Sequence, residues 1–123
     1  MLNTPFSPWP SFTQQEADAV SQVLLSNKVN YWTGQECRQF EKEFADWADS
    51  KYAIALGNGT LALDVALIAL GIGAGDEVVV TPRTFIASIS CVVNVGATPV
   101  FADVDEATGN ITAESIAAVI TDK

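Results

Sequence analysis

Apolar positions follow two different rhythms along this chain, and the change comes near residue 52. Before that point they recur at helical spacing. Over residues 12–27, Ala17, Val20, Val23 and Leu24 fall at i, i+3, i+6 and i+7, which predicts an amphipathic helix. Thr13 stands three residues before Glu16, the spacing of a capping box, in which each side chain answers an amide that the helix start leaves unpaired. The periodicity lapses over residues 27–34, where Asn-Lys-Val-Asn-Tyr-Trp-Thr-Gly reads as a loop with two exposed aromatics. It resumes over residues 35–48. Phe40, Phe44 and Trp47 form one stripe there, and Glu36, Glu41, Lys42, Glu43 and Asp46 fall mainly on the rest of the surface.

Beyond residue 52 the apolar runs become short and dense. Residues 52–56 predict a first strand, ending in Gly57-Asn58-Gly59-Thr60, and residues 61–70 predict a helix apolar enough to be buried on more than one side. Residues 77–81, Glu-Val-Val-Val-Thr, predict a second strand from their β-branched content. Residues 84–95 then predict a helix closed by Gly96 in a left-handed cap. A third strand is expected over residues 99–103, and Thr112 is placed to cap a last helix reaching about Thr121. The order is two helices followed by β-α-β-α-β-α, with residues 1–50 forming the helices and their loop and 51–123 the βα units. Such alternation belongs to the α/β class with a largely parallel sheet.

Composition narrows the functions open to such a domain. Of the 123 residues, 49% are hydrophobic, enough for a core. Fifteen acids against six bases give a net charge of −9, which speaks against nucleic acid or an anionic membrane as partner. The plain meaning of that acidity is a solvated surface. No His occurs, so neither a Ser/His/Asp nor a Cys/His nucleophile system nor a His-based metal site is available. Cys37 and Cys91 lie far apart without CxxC spacing, which favours free thiols and a reducing, cytoplasmic setting. Residues 1–10 hold prolines and no basic segment, unlike a signal peptide. Residues 84–102 are uncharged, but Ser88, Ser90, Asn94, Gly96, Thr98 and Pro99 make them a helix, turn and buried strand rather than a membrane span.

The candidate chemistry begins at Gly57-Asn58-Gly59-Thr60, between an apolar strand and a helix. A helix start offers unpaired amides and a partial positive charge to an anion, glycine allows close approach, and Thr60 adds a hydroxyl. The segment is neither a Walker A loop nor a GxGxxG fingerprint. On these residues alone an ordinary strand-to-helix turn capped by Thr60 is the commoner reading. Asp103 and Asp105 invite a metal or paired-carboxylate reading, but Glu106, Thr108, Gly109 and Asn110 beyond them predict a turn, and neither role is assigned. Arg83 follows Pro82 at a strand's C-terminal end, where ligands gather in open α/β sheets. It suits a substrate carboxylate or nucleotide phosphate, or an acid at a subunit interface.

A wider ordered pattern surrounds these residues. It comprises Trp32-Thr33-Gly34 with Phe40-Glu41, Gly57 through Leu63, Ala69 through Val78, Thr84-Phe85-Ile86-Ala87-Ser88, and Gly96 through Asp105. The set resembles the sugar aminotransferase family of the DegT/StrS type, within the type I pyridoxal-phosphate fold, over nearly the whole chain from Pro5 to Lys123. The resemblance implies that Asn58, Gly59 and Thr60 hold the phosphate of pyridoxal 5'-phosphate, and that Phe85, otherwise a plausible core residue, stacks on its ring. It places the loop with Tyr31, Trp32 and Thr33 near the active-site mouth and a dimer interface, as substrate contacts. The implied reaction moves an amino group from an amino acid, usually glutamate, to a nucleotide-linked keto-sugar, for polysaccharide or related amino-sugar biosynthesis, in a homodimer or higher oligomer.

The same resemblance places the cofactor-bonding lysine and the acid beside the ring nitrogen further along the chain than residue 123. Lys28, Lys42, Lys51 and Lys123 do not match that lysine. No catalytic residue is therefore assigned, and the expectation is an N-terminal part of an enzyme, inactive by itself. In the type I fold the first strand is parted from the next two by strands that come later. Unpaired buried amides cost roughly 1–3 kcal/mol each, so this stretch alone is expected to be unstable, to pack differently or to associate. Two alternatives stand beside this reading. One is a sugar dehydratase of the same family. The other is a non-catalytic α/β module that binds a phosphate or nucleotide through Gly59 and Thr60.

Overall fold

A computed structural model describes residues 8–123. The reading of residues 1–10 as no signal peptide falls mostly on residues outside that range. The chain divides into two compact units, Met1–Ala55 and Leu56–Lys123.

The first unit carries two helices, α1 (Gln14–Leu25) and α2 (Glu36–Trp47). The capping box at α1 is formed: Thr13 Oγ1 accepts from Glu16 N at 3.3 Å, and Glu16 Oε2 accepts from Thr13 N at 2.6 Å. Hydrogen bonds from Thr13 hold the Glu16 carboxyl below the usual carboxylate range. Helix α2 carries the predicted aromatic row, with Phe40, Phe44 and Trp47 ring centroids 5.7 and 5.4 Å apart in succession. Of the two helices, only Ala45 is buried.

The second unit contains α3 (Gly59–Ala69), β1 (Glu77–Val80), α4 (Ala87–Asn94), β2 (Thr98–Phe101) and α5 (Ala113–Ala117). Strands β1 and β2 pair in parallel, from Glu77 with Thr98 to Val80 with Phe101, and α4 makes the crossover. Ala87, Cys91 and Val92 recur on one face of α4 and are buried there. Cys91, Val92 and Ala97 form the centre of the core, with Leu67, Ile72, Val78, Val80 and Val95 packed around them. Gly96, at φ +84°, closes α4 as predicted. Its amide reaches Val93 O and that of Ala97 reaches Val92 O, both at 3.0 Å, so the turn returns an apolar residue to the core.

Three expectations are corrected. Residues 52–56 form no strand, and Tyr52 and Ile54 are exposed. The described sheet has only β1 and β2, so this apolar run has no neighbour to hydrogen-bond, and β propensity does not make a strand without one. Helix α3 has no buried residue, although its sequence is apolar nearly all round. It packs on α4 along one side, and its other faces meet nothing that covers them within this unit. Helix α5 ends at Ala117, short of Thr121, although its Thr112 cap is formed.

Candidate functional site

Asn58 sets up the start of α3. Its backbone is extended, at φ −168° and ψ 169°, and its Oδ1 accepts from Leu61 N at 2.9 Å. Its carbonyl accepts from Ala62 N at 3.1 Å. The helix cap is thus Asn58, not Thr60, because the helix begins at Gly59 and Thr60 already lies within its first turn. The Asn58 side-chain oxygen is committed to the cap. The amides of Gly59 and Thr60 are left as the first-turn donors without a partner among the described residues. A Cβ built on Gly59 would meet nothing within 4 Å, so the chain itself does not require the missing side chain. Open space above two free amides at a positive helix end suits a phosphate.

Phe85 lies two residues before α4 and is 73% exposed, so it is not a core residue of this unit. Helices α3 and α4 run in the same sense. The turns that follow them adjoin: a Cβ on Gly73 would lie 3.5 Å from Val95 O, and one on Gly96 would lie 3.7 Å from Ala74 N. Further back, Asn94 Nδ2 donates to Asp64 Oδ1 at 3.3 Å, a separation of 30 residues. Asn58, Gly59 and Thr60 lie at the start of α3, and Phe85 lies just before α4, in the segment that leaves the C-terminal end of β1.

Arg83 leaves that same end of β1, with its amide donating to Thr81 Oγ1 at 3.2 Å. Its guanidinium lies over Gly109, in the turn of residues 105–110. Asp105 builds that turn. Its Oδ1 accepts from Thr108 N and Oγ1, both at 2.8 Å, and its carbonyl accepts from Gly109 N at 2.7 Å. The Thr108 hydroxyl and amide hold the Asp105 carboxyl below its ordinary range. Asp103 Oδ1 accepts from Val104 N at 2.8 Å. Asp105 thus serves the predicted turn, and Asp103 bonds only the amide that follows it.

In the first unit, Tyr31, Trp32 and Thr33 belong to a tightly built loop. Asn30 Oδ1 accepts from Trp32 N and Thr33 N at 3.0 Å and from Thr33 Oγ1 at 3.1 Å. Tyr31 Oη donates to Glu41 Oε2 at 3.1 Å, and Arg38 Cζ stands 5.0 Å from the Tyr31 ring centroid. A Cβ on Gly34 would overlap Lys28 O and lie 2.9 Å from Asn30 O, so these carbonyls close over the glycine. Trp32 is 84% exposed, presented rather than plugged into this unit. Asn30 and Gly109 escaped the sequence reading. Asn30, just before the loop aromatics, has the local signature of an Asx turn. Gly109 has none that points to Arg83, which is remote in sequence.

Among the described residues no helix is long and apolar enough to cross a membrane.

Comparison with known proteins identifies the family of the chain. The sequence profile of the DegT/DnrJ/EryC1/StrS aminotransferase family matches residues 10–123. Over 112 residues the chain is 52% identical to the GDP-perosamine synthase of Caulobacter vibrioides, covering 91% of this chain and 30% of that protein. Among solved structures, an aminotransferase from Psychrobacter cryohalolentis superposes with a TM-score of 0.92 at 88% identity, over 97% of this chain and 30% of that one. Spr1654 from Streptococcus pneumoniae, in its PLP form, superposes with a TM-score of 0.82 at 33% identity, over 97% of this chain and 30% of that one. The chain spans less than a third of the length of these relatives.

Proposed function

The chain belongs to the DegT/DnrJ/EryC1/StrS aminotransferase family, and from that membership we propose that it forms the N-terminal part of a pyridoxal-phosphate-dependent aminotransferase. The enzyme moves an amino group from an amino acid, glutamate, to a nucleotide-linked keto-sugar in amino-sugar and polysaccharide biosynthesis. It works in the cytoplasm as a homodimer or higher oligomer. The observation that carries the reading is the start of α3, where the amides of Gly59 and Thr60 have no partner among the described residues and stand with the Thr60 hydroxyl beneath open space over Gly59.

When bound, pyridoxal phosphate supplies an electron-accepting ring that stabilises charge at the carbon losing its proton. The residues present fit it. The amides of Gly59 and Thr60 and the Thr60 hydroxyl would hold its phosphate, and the positive end of α3 adds about 0.3–1 kcal/mol for an anion there. Asn58 keeps those amides in place through its own bond to Leu61 N. Phe85 would lie against the ring, restricting its tilt and excluding water from one face. Tyr31, Trp32, Thr33 and Arg83 are assigned to the nucleotide-linked substrate. No residue of this stretch is given the proton transfer itself.

The test is cofactor binding in the full-length enzyme. Thr60→Ala removes a hydrogen bond to a charged group and is expected to weaken pyridoxal phosphate binding about tenfold or more. Phe85→Ala, which removes an aromatic contact of about 0.5–1.5 kcal/mol, is expected to weaken it by less. Wild-type affinity in both variants would remove this reading. Nucleotide binding lost on Thr60→Ala, without any cofactor binding, would put the non-catalytic module in its place.

A further inference from the structure

The seat under Arg83 is built from residues remote in sequence. The turn of residues 105–110 is closed by Gly109 N bonding to Asp105 O at 2.7 Å and by Asp105 N bonding to Asn110 O at 2.9 Å, and Val104 bridges Ile111 across its base. Within it Gly109 takes φ +68°, a conformation that side chains resist. A Cβ on Gly109 would overlap Arg83 Nη1, stand 2.7 Å from Cζ and 3.3 Å from Nη2. The whole guanidinium therefore rests on the face that the glycine leaves bare. Among the described residues no hydrogen bond joins the Arg83 side chain to either acid of this turn, Asp105 or Glu106, and Asp105 Oδ1 is taken up by Thr108. An exposed cation seated on the turn thus follows the C-terminal end of β1.

We propose that Gly109 is a positioning residue. It seats the Arg83 guanidinium so that it binds an anionic group carried by a substrate, either a phosphate of the nucleotide-linked sugar or the carboxylate of the amino donor. The inference rests on the aminotransferase reading for the identity of those substrates. A planar fork of N–H donors held against a peptide face suits either oxyanion, since less freedom is lost when each hydrogen bond forms.

The experiment is titration calorimetry on the full-length cofactor-loaded enzyme, with uridine diphosphate, guanosine diphosphate and glutamate as separate probes. Arg83→Ala is expected to weaken one class of probe about tenfold, the loss of a charge-assisted hydrogen bond. Weakening of a nucleotide assigns the phosphate, and weakening of glutamate assigns the carboxylate. Gly109→Ala is expected to weaken the same probe by displacing the guanidinium. Gly109→Asn, which tolerates the left-handed backbone but still fills the seat, is expected to do likewise. In the Arg83→Ala background, neither Gly109 substitution is expected to weaken binding further. An undiminished Gly109 effect in that background would mean the turn acts without Arg83, and would overturn the proposal. So would unchanged binding of every probe by Arg83→Ala, or a wild-type enzyme that binds none of them. Cofactor uptake in the same preparations reports separately on the aminotransferase reading.

Discussion

The two units use their apolar residues differently. In the second, α4 and the turn after it return Cys91, Val92 and Ala97 to one small core, ringed by residues from α3, β1 and the turns that follow α3 and α4. In the first, Phe12, Val20, Leu24, Phe40, Phe44 and Trp47 form apolar rows along helices and stay largely exposed. Both units obey their local signals equally well. Thr13 caps α1 as fully as Thr112 caps α5, and both helices of the first unit run within two residues of their expected ends. Helix capping needs only neighbours along the chain, whereas burial needs a partner from elsewhere. An amphipathic face records that a partner is wanted, not that it is present.

The contrast is broken most severely at Val92, which is 1% exposed. Val92→Asp would leave an uncompensated charge in the core and is expected to cost about 3–5 kcal/mol. Urea unfolding followed by circular dichroism measures it. Val20, 60% exposed on α1, provides the opposite case: Val20→Asp in this chain is expected to change stability by no more than about 0.5 kcal/mol. A large loss there would show that the first unit has a core of its own.

A smaller effect distinguishes a cap that also frames a site. Asn58→Ala is expected to cost about 1 kcal/mol of stability. Because Asn58 orders the amides of Gly59 and Thr60, the same change should weaken cofactor binding in the full-length enzyme. Thr60→Ala should lower binding with little change in stability, and equal losses of stability in the two variants would refute that division of roles.

The smallest effect is in the first unit and depends on pH. Hydrogen bonds from Thr13 lower the Glu16 pKa in the folded state. Its contribution is therefore present above the unfolded carboxylate value of about 4.3 and is lost as pH falls through the lower folded value. Helicity of α1 should decline over that acid range, and Glu16→Gln should flatten the decline. A profile indifferent to Glu16→Gln would mean that the carboxylate adds nothing to the cap.

The start of α3 was legible because a glycine-rich segment before an apolar run is a local signal. The cap nevertheless lay two residues further back than expected, at Asn58, since an extended residue with a short acceptor reaches the third amide and Thr60 is already helical. The Asn30 loop carried a local signature as well. Arg83 was legible only as a cation at a strand end, and nothing in the chain's local pattern placed Gly109 beneath it.

Sequence by itself determined what neighbours along the chain decide: the positions of the helices and of β1 and β2 among the described residues, the caps at Thr13 and Thr112, the turn at Asp105 and the glycine that closes α4. Tertiary structure decided what depends on remote partners. It left residues 52–56 without a strand and α3 covered on one side only, left Phe85 exposed, and laid Arg83 over Gly109. The physical reason is range. Capping bonds and helical periodicity act over three or four residues, while strand pairing, burial and the meeting of site residues depend on which distant segments are there to pack.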